Sequence, residues 1–206
     1  MREINQGQGI AWFILVFFIF TASCTSIPEL RVNYQLPPAS AQFRDKRVLL
    51  TVEDGRAGKD PLGQGAKSAL SDFSGNFALS VAQPEGTGME AGIYKVVGMM
   101  REGFRRRLEN IGLIPVLEET GKGPRLIIVL NEFFLDRVGR DWVFKMGYEA
   151  RILEDGKVLS RENVSGEGER YNFSGRVEAE KVLGEIFTDC VNRLDIKRLF
   201  QKAGLE

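Results

Sequence analysis

Residues 142–166 read WVFKMGYEARILEDGKVLSRENVSG, and this stretch decides the fold. Trp142, Phe144, Met146, Tyr148, Ala150 and Ile152 occupy every second position, with Lys145, Glu149 and Arg151 between them. Successive side chains of a strand point to opposite faces, so the alternation predicts a strand with one apolar face and one partly wet face. Asp155-Gly156 then separates two strand-like runs by two residues, the pattern of a tight hairpin. The return run, Lys157 to about Gly166, is polar, as an edge strand is.

Working upstream, RLIIVLNEFFL (125–135) is apolar on both faces and reads as a central strand. Ile114 to Leu117 is a short strand, and KRVLLTV (46–52) is a compact β-rich run closed by the turn residues Glu53-Asp54-Gly55-Arg56. Between Gly55 and Gly88 the chain is rich in Gly, Ser and Asp, and only Phe77 to Val81 is apolar; it reads as a long loop, a flexible excursion with one short strand at Phe77 to Val81. Thr87-x-x-Glu90 has the spacing of a capping box. The helix expected after it places Ile93, Val96, Val97, Met100, Phe104, Leu108 and Ile111 on one stripe and ends at Gly112. A final helix is expected from about Arg176 to Ala203, with Val182, Leu183, Ile186, Phe187, Cys190, Val191 and Leu194 buried and Gly204 at its close. This order predicts an α+β fold: a single, mostly antiparallel sheet of about 4–5 strands with two long helices packed on a face.

Composition narrows the chemistry. The chain has 206 residues, 28 Lys+Arg against 28 Asp+Glu, two Cys and no His. Without His there is no Ser-His-Asp or Cys-His catalysis, no His-ligated zinc and no imidazole switch. Two Cys cannot supply a four-Cys zinc site or iron–sulfur cluster. The charge balance argues against nucleic acid as a partner. No cofactor, metal or catalytic residue is expected, and the chain reads as a non-enzyme.

Four clusters were candidates for chemistry. Gly58-Lys59-Asp60 and Gly63 to Ser68 lack the spacing of a phosphate-binding loop and read as ordinary loop. Arg101, Arg105, Arg106 and Arg107 lie late in the first long helix, off its apolar stripe. They read as a solvated face, with Arg101, Arg105 and Arg106 the candidates for contact with anionic lipid or an acidic partner. Glu167 and Glu169 could be imagined as an acid/base pair but are explained by a charged edge strand. Cys190, on an apolar stripe, reads as core filler.

The N-terminal run IAWFILVFFIF (10–20) is 11 residues long and is followed by Thr21-Ala22-Ser23-Cys24. About 20 apolar residues are needed to cross a bilayer, so the run matches the hydrophobic core of a secretory signal. Small residues ending on Cys resemble the bacterial lipobox. The resemblance implies a signal peptide over 1–23, cleavage between Ser23 and Cys24, and diacylglycerol and palmitate on Cys24. Cleavage without lipid, an uncleaved anchor and a buried segment are the other readings of the same run. Thr25, where inner-membrane lipoproteins of enteric bacteria carry Asp, implies the outer membrane and a periplasm-facing domain. Residues 24–44 hold Pro28, Pro37 and Pro38 and read as a lipidated N-terminus and extended tether, although Val32, Tyr34 and Leu36 also alternate as an edge strand would. A single domain is then expected over 45–206.

Taken together, the lipobox, the early strand with its Asp-containing turn, the helix MREGFRRRLENIGL, the central strands and the closing helix resemble small bacterial lipoproteins of the YajG type. That resemblance implies an envelope lipoprotein with no assigned enzymatic activity and an envelope protein as partner. Similar layouts in auxiliary lipoproteins of envelope transporters and cell-wall synthesis systems imply an alternative, the handling of lipid or glycan.

Overall fold

The computed structural model describes residues 28–205 apart from 85, 87 and 118–122. Its strands are β1 (Leu30–Gln35), β2 (Arg47–Asp54), β3 (Phe77–Ala82), β4 (Met89–Tyr94), β5 (Ile114–Val116), β6 (Arg125–Val138), β7 (Asp141–Glu154) and β8 (Lys157–Tyr171). Its helices are α1 (Gln64–Ala69), α2 (Val96–Asn110), α3 (Arg176–Arg193) and α4 (Ile196–Lys202).

The expected single sheet is corrected to two sheets, both mixed. The larger has the order β5-β2-β6-β7-β8, and the smaller β1-β3-β4. β2 runs parallel to β5 and β6, whereas β6-β7-β8 form an antiparallel meander. In the smaller sheet β1 is parallel to β3 and β3 antiparallel to β4. Parallel neighbours need a long crossover, and the chain between β2 and β6 supplies one that contains two strands of the smaller sheet, β3 and β4, together with α1, α2 and β5. Nor do two long helices share one face: α3 lies between β1 of the small sheet and β7 and β8 of the large one, while α2 touches β2, β3, β4 and β5.

The meander matches expectation closely. Trp142, Phe144, Met146, Tyr148, Ala150 and Ile152 are all buried. Asp155 (φ 48°) and Gly156 (φ 77°) form the turn, both with positive φ as a two-residue hairpin of this type requires. β8 is the sheet edge.

Three boundaries move. Residues 30–35 are the alternating strand and not tether: Leu30, Val32 and Tyr34 are fully buried against the helices. Within the Gly-rich segment 55–88 the short strand expected at Phe77 to Val81 is β3, and α1, which was not expected, precedes it, so the segment is no continuous loop. The first long helix starts at Val96, with Lys95 as its N-cap. Glu90 belongs to β4, and Thr87 lies outside the described residues. The helical stripe does not extend back to Ile93 because Gly92 adopts φ 135°, beyond any helix, where the β3–β4 register shifts. The closing helix is also broken. Leu194 is extended, and the Asp195 carboxylate accepts the Arg198 N–H at 2.9 Å, capping α4. The break lets Leu199 and Phe200 turn back under the sheet, where the Leu199 carbonyl accepts the Ser160 hydroxyl at 2.8 Å.

The core sits between the sheets. Phe77 of the small sheet meets Phe133 of the large one edge-on at 5.4 Å, and Phe133 meets Phe144 at 4.8 Å. Tyr34 packs on Phe187, and Phe104 on Tyr148, both T-shaped as aromatic quadrupoles prefer.

Candidate functional site

A groove is built where α2 ends. Gly112, with φ 88°, stops the helix, and its last carbonyls are taken up by the segment after β1. The Ser40 N–H donates to the Asn110 carbonyl at 2.9 Å and the Phe43 N–H to the Ile111 carbonyl at 3.1 Å. The Asn110 side-chain amide donates to the Pro37 carbonyl at 2.9 Å. Residues 36–43 are thus fastened to the fold as one wall. The β3–β4 hairpin forms the other, and the groove between them measures about 470 Å³. Leu36, Val81, Met89 and Ala91 give it apolar surface; Glu90, Arg106 and Glu109 supply charges of both signs. Met89 is 71% exposed. The volume is in the range of about 300–1,000 Å³ usual for ligand pockets.

Of the three arginines named for partner contact, Arg106 alone lines this groove. Its Nε donates to Glu102 at 2.8 Å, and Arg105 donates to Glu102 and Glu109. Burial would raise the Glu102 pKa, but the bonds from Arg105 and Arg106 outweigh it and hold the carboxyl below its usual range. Arg101 is exposed on the same helix. Arg107, read with the others as solvated, is not. It is half-buried with its Nε lacking a hydrogen bond, its pKa is pushed down by burial, and Tyr34 and Tyr148 lie beside it. The signal was available: residue 107 stands three after Phe104, on the edge of the buried stripe.

The remaining candidates have structural partners. Lys59 donates to the Asp54 carbonyl at 2.8 Å and so ties the Gly-rich segment to the end of β2, and Lys67 of α1 pairs with Asp60 within the segment. Glu167 pairs with Lys145 across the β7–β8 ladder at 2.9 Å. Cys190 is fully buried, and burial pushes its thiol up to about 11, with Asp189 adding to the shift. Phe77 is core, Phe73 packs on it at 5.3 Å, and Phe173 stands 82% exposed. Ser23 and Cys24, the expected cleavage and lipidation residues, lie outside the described residues. Among the described residues no group of three or more Asp, Glu, Cys or His is placed to hold a metal ion.

The sequence matches no protein-family model and no curated protein. In fold the chain is similar to several solved structures. One is a Xanthomonas campestris protein of the family model DUF330, at TM-score 0.47 and 16% identity, covering 86% of this chain and 94% of that one. A lipoprotein of Neisseria meningitidis is similar at TM-score 0.32 and 15% identity, covering 72% of this chain and 97% of its own. PelC of Paraburkholderia phytofirmans, solved as a dodecamer, is similar at TM-score 0.32 and 12% identity, covering 75% and 91%. All three fall below a TM-score of 0.5, so none bears on function.

Proposed function

We propose that the chain is a bacterial envelope lipoprotein, laid out like those of the YajG type, whose domain binds a protein partner and performs no catalysis. The 11-residue apolar run and Thr21-Ala22-Ser23-Cys24 support attachment through lipid on Cys24. Thr25 supports the outer membrane, with the domain in the periplasm. Acyl chains bury about 0.8 kcal/mol per methylene, so two or three of them anchor without help from the domain. That leaves the groove free for a partner.

The observation that carries the binding reading is Met89, exposed above a groove of Leu36, Val81 and Ala91 with Arg106 and Glu109 at its rim. Such a surface suits a peptide segment with an apolar anchor beside a charged residue. A photo-crosslinker placed at Met89 in intact cells should yield one discrete adduct that is lost in the Arg106→Glu background. No adduct, or one equally formed from Val158 on the edge strand β8, would sink the reading. Cys24→Ser should abolish lipid labelling and release the protein from membranes. Retention in the membrane would instead favour an uncleaved anchor.

A second reading, lipid or glycan handling, draws on Gln83 and Gly86, which bring the tail of the Gly-rich segment to the groove. It expects lipid or glycan in native mass spectra of the purified protein.

A further inference from the structure

One end of the domain carries an exposed apolar cluster that neither the core nor the groove uses. Besides Phe173, Val138 is 62%, Val177 48% and Tyr171 41% exposed. These residues come from β6, β8, the β8–α3 loop and the first turn of α3, and the sheet register brings Val138 and Tyr171 to one end. Val138 pairs with Asp141 across the β6–β7 turn, and Asp141 pairs with Tyr171 across the β7–β8 ladder. The Phe173 ring lies on the Tyr171 ring at 4.6 Å.

The loop that presents Phe173 is well fastened. Asn172 donates its N–H to the Arg140 carbonyl at 2.8 Å, and its side-chain oxygen accepts the Gly175 N–H at 2.7 Å. Arg140 in turn donates to the Tyr171 hydroxyl at 3.2 Å. An aromatic ring held outward by its own backbone forgoes the hydrophobic gain of burial unless something covers it.

The chain enters the fold at this same end. The Glu29 carbonyl accepts from Arg176 at 3.0 Å, three residues after Phe173, and the Pro28 carbonyl accepts the Ser74 N–H. β1 runs alongside α3 in the same direction, with Arg31 N–H bonded to Glu180 and Gln35 N–H to Thr188, so both elements begin here. Cys24 stands four residues before Pro28, and a fully extended chain of that length spans at most about 14 Å. Acyl chains on Cys24 would therefore hold this end, and no other, against the bilayer.

We infer that Phe173, Tyr171 and Val177 dock on the phospholipid surface, seating the domain end-on in the interfacial layer where aromatic rings are favoured. This rests on the reading of Cys24 as acylated. The charges around the cluster are mixed: Arg176 is paired with Asp72, and Asp141 stands beside Arg140. Docking is accordingly driven by apolar contact, and binding to zwitterionic phosphatidylcholine should be little changed by salt. End-on seating also points the opposite end of the sheet, with Val158, away from the membrane.

The test uses the full chain, expressed with its own leader and reconstituted into phosphatidylcholine vesicles with or without brominated acyl chains. Phe173→Trp and Val158→Trp are compared with the unsubstituted chain, which provides the emission of its own tryptophans. The expected result is bromine quenching of the residue-173 probe at least about twofold stronger than that of the residue-158 probe, in high and low salt alike. Equal quenching at the two positions overturns the inference. So does an unquenched residue-173 probe in a chain that sediments as a dimer, which would assign the patch to a second copy. The mass of the N-terminal peptide decides acylation separately. A quenched probe on a chain without lipid upholds docking and removes the lipid reading; an unquenched probe on an acylated chain does the reverse.

Discussion

Gly184 of α3 faces the backbone of Asn33 in β1 so closely that a Cβ built on it would lie 3.0 Å from the Asn33 carbonyl oxygen and 3.2 Å from its nitrogen. Both contacts are backbone atoms of a paired strand, which have little room to shift. This approach lets Val32 and Tyr34 reach the core and so joins the small sheet to the helix. Gly184→Ala should destabilise the domain by about 1–3 kcal/mol, the usual cost of overpacking, and Gly184→Val by more. Urea unfolding midpoints measure this, and an unchanged midpoint for both variants would mean that the helix is free to lift off the strand.

Asp54 sets a pH dependence. Its carboxylate accepts the Arg56 N–H at 3.2 Å and the Arg56 guanidinium at 2.9 and 3.0 Å, and it pairs with Lys59 at 3.3 Å. The Arg56 side chain, more than any other cause, holds its pKa down to about 2, against an ordinary 3.8. A folded-state pKa below the unfolded one means stability that is present above the unfolded value and is lost as pH falls through the folded one. The loss from this group therefore falls between about pH 4 and pH 2. Thermal midpoints of the unsubstituted chain should drop more steeply through that window than those of Asp54→Asn, which starts lower. Parallel curves would contradict the assignment.

Cys190 should be chemically silent in the native state. With its thiol pushed up to about 11 and fully buried, almost no reactive thiolate exists at pH 8. A disulfide-exchange reagent should titrate no thiol until denaturant is added. If Cys24 carries lipid, a single thiol then appears; two would mean that Cys24 is free. Fast labelling of Cys190 before unfolding would overturn the burial argument.

Gly156 tests the hairpin on which the larger sheet turns. Its φ of 77° is open to glycine but strained for any side chain, while the space around a Cβ there is empty. Gly156→Ala should therefore cost about 1 kcal/mol from backbone strain alone, with no clash to relieve. Calorimetry would show it as a lowered midpoint, and a Gly156→Asn variant, better suited to this conformation, should recover part of the loss.

Where local periodicity and turn chemistry act alone, the structure was legible beforehand. Trp142 to Ile152 alternate because one face of β7 must be buried, and Asp155-Gly156 needs only its own φ angles to close the hairpin. Cys190 was readable as core from its stripe. The groove was half legible: Arg106 stood out as part of a cation cluster, but Met89, Leu36 and Val81 gave no sign that they would share a cleft with it. They come from β4, the residue after β1, and β3 of the small sheet, where Val81 pairs with Met89 and the Leu36 N–H bonds the Ala82 carbonyl, and they meet Arg106 because residues 36–43 hydrogen-bond to the end of α2. The apolar spacing of MEAGIY (89–94) suits the start of a helix as well as a strand, and the positive φ of Gly92 decides for the strand.

By itself the sequence determined the meander, its hairpin, the existence of two long helices and the chemistries excluded by having no His. It also marked the apolar run 10–20 and the Thr21-Ala22-Ser23-Cys24 that follows it, since those are properties of short stretches of chain. Only the tertiary structure decided that the strands divide into two mixed sheets and that residues 30–35 belong to the fold. It likewise showed that Phe173 stands exposed beside the point where the chain enters. Parallel pairing, as between Leu49 and Arg125 or between Leu30 and Phe77, joins residues far apart in sequence and leaves no local pattern to read.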